Sequence, residues 1–223
     1  MENRFGAMAI DFDWRDYIFP QHCFICGRQG QLVCDHCRLN QKFSLSETSG
    51  LNGDKLIWSL ADYGDPIIAK AIKHFKYDFI TSILDEFWQP ALADFWRQKQ
   101  SYFQEGKWLL APVPLHRKKE LRRGFNQSRL IAGKLSQMCG WPVADDLLLR
   151  IKNNRPQAKK SAVAREASVA GIFKVNYWRL SDCWGCKILL VDDVATTGST
   201  LKECANILQS AGFDEIAALV LAS

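Results

Sequence analysis

The chain has 223 residues, 48% of them hydrophobic and 24% charged, with a formal net charge of +5. That length suits one α/β domain with a small appendage, and the composition is that of an ordinary globular protein rather than a disordered or fibrous one. No apolar run approaches the ~18 residues of a membrane helix, and the first residues, MENRFGAMAIDFDWRDYIF, lack a basic-then-apolar leader, so a cytoplasmic protein without a membrane span is expected.

In chain order, Trp14, Tyr17 and Ile18 share a helical face, which predicts a short amphipathic helix ended by Pro20. Residues 23–37 then read CFICGRQGQLVCDHC. Two CxxC knuckles separated by seven residues let the thiolates of Cys23, Cys26, Cys34 and Cys37 converge tetrahedrally on Zn²⁺. A redox pair is the rival reading, but it needs only one CxxC and a sheet-plus-helix context that is missing here. His22 and His36 flank the knuckles, where four cysteines already complete a site. Residues 38–55 are polar, contain SETSG and NGD, and read as a linker. The organisation expected is a helix and knuckle over 1–45 and a second domain over 56–223.

That second domain opens with a strand at 56–60 and a turn, ADYGDP, before a helix over 66–77 with Pro66 at its first position. Lys70, Lys73 and Lys76 are assigned to its outer edge. Residues 80–96 have strong 3-4 periodicity and predict one continuous helix, and 107–111 predict a strand. The segment HRKKELRR at 116–123 carries five bases against one acid, and residues 147–165 carry six bases and no acid. Such basic stretches serve pyrophosphate, nucleic acid or both, against a solvated surface as the plain alternative. A helix is expected over 128–138, and short strands at 147–151 and 171–175, with an irregular basic segment between them.

The most informative stretch is KILLVDDVATTGSTLKECANIL at 187–208. Ile188 to Val191 suits a parallel strand buried on both faces, with Asp192 and Asp193 expected at its end. The hydroxyl-rich turn Thr196, Thr197, Gly198, Ser199 and Thr200 leads into a helix over 200–211, with Gly212 as its cap and a last strand over 215–221. A helix N-terminus carries unpaired N–H groups and partial positive charge, which suits a phosphate. The two carboxylates suit the vicinal hydroxyls of a sugar. Ribose 5-phosphate has that layout. An N-cap with a turn-forming Asp is the plain alternative.

The string ILLV-DD-VA-TTGST resembles the phosphoribosyl pyrophosphate (PRPP) loop of type I phosphoribosyltransferases. Together with the knuckles, DYGDPIIAKAIKHFKY, PVPLHRKKELRRGFNQ and RPQAKKSAVAREASVAGIF, spanning about residues 20–222, the chain resembles the ComF/GntX family. The resemblance implies a type I phosphoribosyltransferase-like parallel sheet with helices on both faces, plus a small N-terminal zinc-ribbon-like module. It implies that Asp192 and Asp193 hold the ribose hydroxyls and residues 196–200 the 5-phosphate. Residues 113–115 would form the pyrophosphate-side turn, and 117–123, with Arg117, Arg122 and Arg123, a mobile hood. Arg155 and Arg165 would contact pyrophosphate or DNA. It implies structural Zn²⁺, Mg²⁺ carried with PRPP, and a role in natural transformation, handling imported single-stranded DNA with competence-machinery proteins such as a helicase or a DNA-processing protein. An active pentosyl transferase of nucleotide metabolism is the alternative, with His116 the one acid–base candidate near the hood. A PRPP-sensing regulator lacks a helix-turn-helix signal. Cys183 and Cys186 lack partner ligands and read as incidental.

Overall fold

The computed structural model describes residues 21–51, 56–78, 80–152 and 171–223. It divides into two compact units, residues 1–41 and 42–223. The expected N-terminal helix, and Arg155 and Arg165, lie outside the described residues.

In the first unit the backbone turns back on itself at the first knuckle. The Gly27 N–H donates to Cys23 O (2.8 Å) and the Cys23 N–H to Arg28 O (2.7 Å), while His22 and Gln29 form an antiparallel bridge. Helix α1 (Asp35–Asn40) starts immediately after Cys34, so the second knuckle lies on its first turn.

The second unit begins with a departure from expectation. Residues 46–49, assigned to the linker, form strand β1 (Ser46–Ser49), antiparallel to β2 (Leu56–Ser59). The polar string SETS has little intrinsic preference for a strand, but strand formation follows from the neighbour it pairs with. Glu47 sits opposite Trp58, accepts a hydrogen bond from the indole Nε1 (2.7 Å) and pairs with Lys99 (2.7 Å).

Helix α2 (Pro66–Tyr77) is capped by Asp65, whose carboxylate accepts from the N–H groups of Ile67 and Ile68. The single helix expected over 80–96 is instead a π-helical turn (Leu84–Trp88) followed by α3 (Gln89–Lys99). Pro90 accounts for the change: it lacks the N–H that would continue the regular ladder, and a widened turn accommodates the missing bond. A 3₁₀ turn (Gln100–Phe103) leads to β3 (Lys107–Pro112). Then come α4 (Arg117–Arg123), α5 (Gln127–Cys139) and the antiparallel pair β4 (Leu148–Arg150) and β5 (Phe173–Val175). After a 3₁₀ turn and the short α6 (Leu180–Cys183) follow β6 (Cys186–Val194), α7 (Ser199–Ser210) and β7 (Ile216–Ala222). Ala211 is the C-cap of α7, and Gly212 follows it.

The main sheet has the order β1-β2-β7-β6-β3, with every pair after the first parallel. Alternation along the strands assigns its faces. Ile57, Leu109, Ile188, Leu190, Ala218 and Val220 share one core with Leu201, Cys204, Ala205 and Leu208 of α7. On the other face Trp58 packs against Phe95 of α3 (ring centroids 5.6 Å) and Phe103 (5.4 Å), and Trp108 against Phe103 (4.9 Å). Helices therefore cover both faces, as an all-parallel core requires. Among the described residues no helix is long and apolar enough to cross a membrane.

Candidate functional site

A cavity of ≈ 180 Å³ opens at the carboxyl ends of β3 and β6, where an open α/β sheet receives its ligand. Four cations (Lys76, Lys119, Arg123 and Arg150) and the two carboxylates Asp192 and Asp193 line it. The acids stand at the end of the strand, as expected, within the last three residues of β6, which runs to Val194. Successive strand residues face opposite sides, so the two carboxylates acquire different partners.

Asp192 Oδ1 accepts from Ser128 Oγ (2.8 Å) and from the Asp193 N–H (2.9 Å). Burial raises its carboxyl to about 7. The charge of Asp193 adds to the rise, while the Ser128 and backbone bonds and Lys76 oppose it. Asp193, 8% exposed, pairs with Lys76 Nζ at 2.9 Å. Burial alone would lower the Lys76 ammonium, but the charge and hydrogen bond of Asp193, with Asp192 behind, leave it raised. Lys76 thus turns into the site rather than lying on the outer edge of its helix.

The opposite wall is built by the string GFNQS. Asn126 caps α5 by accepting from the Ser128 N–H (3.2 Å), and its Nδ2 donates to Val113 O (3.1 Å), tying the helix to the turn after β3. Gln127, 1% exposed, accepts from Arg123 Nη1 through Oε1 (3.0 Å). Because Arg can only donate, the amide oxygen faces it and Nε2 faces away. That Nε2 and the Arg123 Nε are buried donors without a partner among the described residues. Both residues line the cavity. Burial pushes the Lys119 ammonium down, and Arg150, Arg123, Arg122 and Lys76 push it further. The four cations of the lining outnumber its two acids, and two of the lining residues carry unpartnered donors. Such a lining can accept a ligand rich in anionic oxygens.

Of the hydroxyl loop, Thr200 lines this cavity, and Thr196, Thr197, Gly198 and Ser199 are not among its lining residues. Thr197 Oγ1 is 3.0 Å from Ser199 Oγ, and Gly198, at φ +68°, turns the chain into α7. The expected hood is a helix: α4 directs Lys119 and Arg123 inward and leaves Arg117 and Arg122 exposed, away from the cavity lining. His116 caps that helix by accepting from the Lys118 N–H (3.2 Å). Lys76, Lys119, Gln127, Ser128 and Arg150 are site residues that sequence reasoning did not single out. A signal existed for two of them. Lys76 continues the buried stripe of Ile68 and Ile72, and Gln127 that of Ile131 and Leu135, each at intervals of four.

The four knuckle cysteines form a second site. Their sulfurs all lie within 4.8 Å of one another, with Cys26 and Cys34 Sγ at 3.6 Å. Tetrahedral Zn–S bonds of about 2.3 Å separate sulfurs by roughly 3.8 Å, so the cluster could hold such an ion. Burial, then the neighbouring thiols, push Cys37 up to about 12, the crowding that a bound cation relieves. Neither His22 nor His36 belongs to the cluster. Cys183 is buried and joins no metal-binding group among the described residues.

A parallel α/β sheet with paired acids and a surplus of bases at its strand ends, accompanied by a four-cysteine cluster that could hold a metal ion, defines an α/β protein with a predominantly basic cleft. No protein-family model matches the chain. It is 30% identical over 203 residues to competence protein F of Haemophilus influenzae, covering 89% of this chain and 82% of that protein. It is 28% identical over 192 residues to competence protein ComFC of Bacillus subtilis, covering 85% and 72%. To the DNA utilization protein YhgH of Escherichia coli K12 it is 28% identical over 195 residues, covering 83% of each. The chain belongs to the ComF family.

Proposed function

We propose that the protein binds PRPP in the cleft at the ends of β3 and β6 and acts in DNA uptake, handling imported single-stranded DNA in the cytoplasm during natural transformation. The relatives' names support the process: two are competence proteins and a third is a DNA utilization protein. The observation that carries the ligand is the pair of buried, unpartnered donors, Gln127 Nε2 and Arg123 Nε, on residues that line one cavity together with two carboxylates. In this reading the donors, with Lys119 and Arg150, receive the pyrophosphate. Asp192 and Asp193 accept from the ribose hydroxyls, and residues 196–200 hold the 5-phosphate at the start of α7.

Mg²⁺ would travel on the pyrophosphate oxygens, the usual arrangement for this ion. The carboxylates fit that division, because Asp192 Oδ1 already accepts two hydrogen bonds and Asp193 is paired with Lys76. The four cysteines would hold a structural Zn²⁺, and helicase or DNA-processing proteins of the competence machinery would be partners.

One observation favours a second reading, a catalytically active phosphoribosyltransferase. A carboxyl raised to about 7, as Asp192 is, titrates where a general base works best. Pyrophosphate release above background with any free base as acceptor would establish that reading, and its absence would exclude the bases tried.

Titration calorimetry of PRPP with Mg²⁺ tests the ligand. Asp192→Ala combined with Asp193→Ala is expected to weaken binding at least ~10-fold, and Gln127→Leu by ~5-fold, about 1 kcal/mol for a lost hydrogen bond. Unchanged affinity in both would overturn the assignment. Transformation efficiency of a deletion strain complemented with the same variants links the site to the process.

A further inference from the structure

A second cavity, of ≈ 440 Å³, lies along α2 next to the first and shares Lys76 and Tyr77 with it. Its other walls include Tyr63, Ile72, Lys70 and Lys73. Tyr63 and Tyr77 are 40% and 54% exposed, large aromatic rings left to solvent at a concave surface. Neither is on a loose segment. The Tyr63 N–H donates to Ser223 O (2.9 Å), and its turn is closed by the Asp65 N–H on Asp62 O (3.2 Å). Tyr77 ends α2, and the Arg123 guanidinium lies over its ring at 5.3 Å.

The charges are arranged as a track. Lys70, Lys73 and Lys76 recur every three residues, about 4.5 Å apart along the helix axis. Among the described residues, no acidic side chain lines this cavity. Bases spaced along a groove between rigid aromatic rings are the recognition chemistry of single-stranded nucleic acid: ammonium groups follow the phosphates and rings stack the bases without regard to sequence. A neutral aromatic ligand would make no use of the exposed Lys73, and an acidic peptide would make none of the tyrosine rings. Duplex DNA, whose bases are stacked on each other, has none to offer the rings.

We propose that this groove seats a segment of single-stranded nucleic acid, with a base against Tyr63, another against Tyr77, and phosphates on Lys70 and Lys73, leading toward the cleft through Lys76. The proposal deepens the single-stranded DNA part of the functional reading and rests on it. It adds a location: the seat is α2, not the basic stretches 116–123 and 147–165 that the sequence offers for nucleic acid.

Fluorescence anisotropy of a labelled oligothymidine on the full-length protein tests it. Tyr63→Ala and Lys73→Ala are each expected to raise Kd by ~5–10-fold, the range for one lost stacking or phosphate contact. Lys73→Ala should also flatten the salt slope by about 0.7. Tyr63→Phe should bind as the wild type does, and so should Lys107→Ala, an exposed change at the far end of β3. Wild-type affinity in a Tyr63→Ala/Lys73→Ala double variant would overturn the location while leaving the broader function standing. No strand binding by the wild-type protein would overturn both. Thymidine monophosphate competing as well as the strand would also overturn the proposal, since it would identify a mononucleotide site. PRPP affinity unchanged in Tyr63→Ala would show that the two cavities take separate ligands, as proposed, and its loss would overturn their separation.

Discussion

Asp192 and Asp193 are adjacent in sequence and chemically unlike. Asp193 pairs with Lys76 Nζ at 2.9 Å, whereas burial raises the Asp192 carboxyl to about 7. A carboxyl whose folded value lies above its unfolded value binds its proton more tightly in the native state. Its favourable contribution is therefore complete below the unfolded value, about 4, and is lost as pH rises through about 7. Asp192→Asn is expected to stabilise the protein at neutral pH, with its effect growing between about pH 4 and 7 by up to about 4 kcal/mol and levelling above. Urea denaturation at pH 5 and 8 checks the sign: a larger gain at pH 5 would contradict it. Lys76→Met should act in the opposite direction. It leaves the Asp193 charge buried without its counter-ion, at a cost of about 2–4 kcal/mol. Adding Asp193→Leu to that variant should recover part of the loss, and a double-mutant cycle measures how much.

At the scale of elements, strand β6 and helix α7 could be read before any fold was known. Ile188 to Val191 is apolar without alternation because both faces of the strand are covered, and the glycine in TTGST marks the turn into the helix. The turn has a specific energetic test. A Cβ at Gly198 would meet only Ile57 Cδ1, at 3.9 Å, so there is room for it, yet φ is +68°. Gly198→Ala is thus expected to destabilise by about 1 kcal/mol through backbone conformation alone, read as a fall in the denaturation midpoint. Other elements were misread for identifiable reasons. The strand at 46–49 depends on Trp58 needing an acceptor for its indole N–H, which local propensity does not encode. The long helix over 80–96 was read through Pro90, whose missing N–H turns the first part into a π-helical turn. Lys76 was placed outward by its neighbours Lys70 and Lys73, although its position four residues after Ile72 put it on the buried stripe.

At the scale of the whole molecule, the two units are stabilised by different means. Residues 42–223 have a continuous sheet core, while residues 21–41 have few buried apolar side chains and a cluster of four thiols. Small units of that kind depend on metal or disulfides for stability. Native mass spectrometry of protein purified without added metal is expected to show one Zn²⁺ per chain. A strong chelator should make residues 21–41 sensitive to protease while the sheet unit stays resistant. Cys26→Ser should give the same pattern, and a metal-free but protease-resistant protein would refute the structural role.

What is encoded over short spans is legible from residue order: the CxxC spacing that gathers four sulfurs, the apolar run of β6, the paired acids and the loop that follows them. Ligand convergence across a turn, burial on both faces and helix initiation each depend on residues within about a dozen positions of one another, so the pattern is visible in the string. Tertiary structure alone decided which side chains surround the acids. Ser128 reaches Asp192 from 64 residues away, Lys76 arrives from α2 and Arg150 from β4. Gln127 comes to line the cavity, with a buried unpartnered donor, only because α5 docks its N-terminus beside the sheet. Those partnerships arise from how helices pack around the strand ends, and packing joins residues that no local periodicity connects.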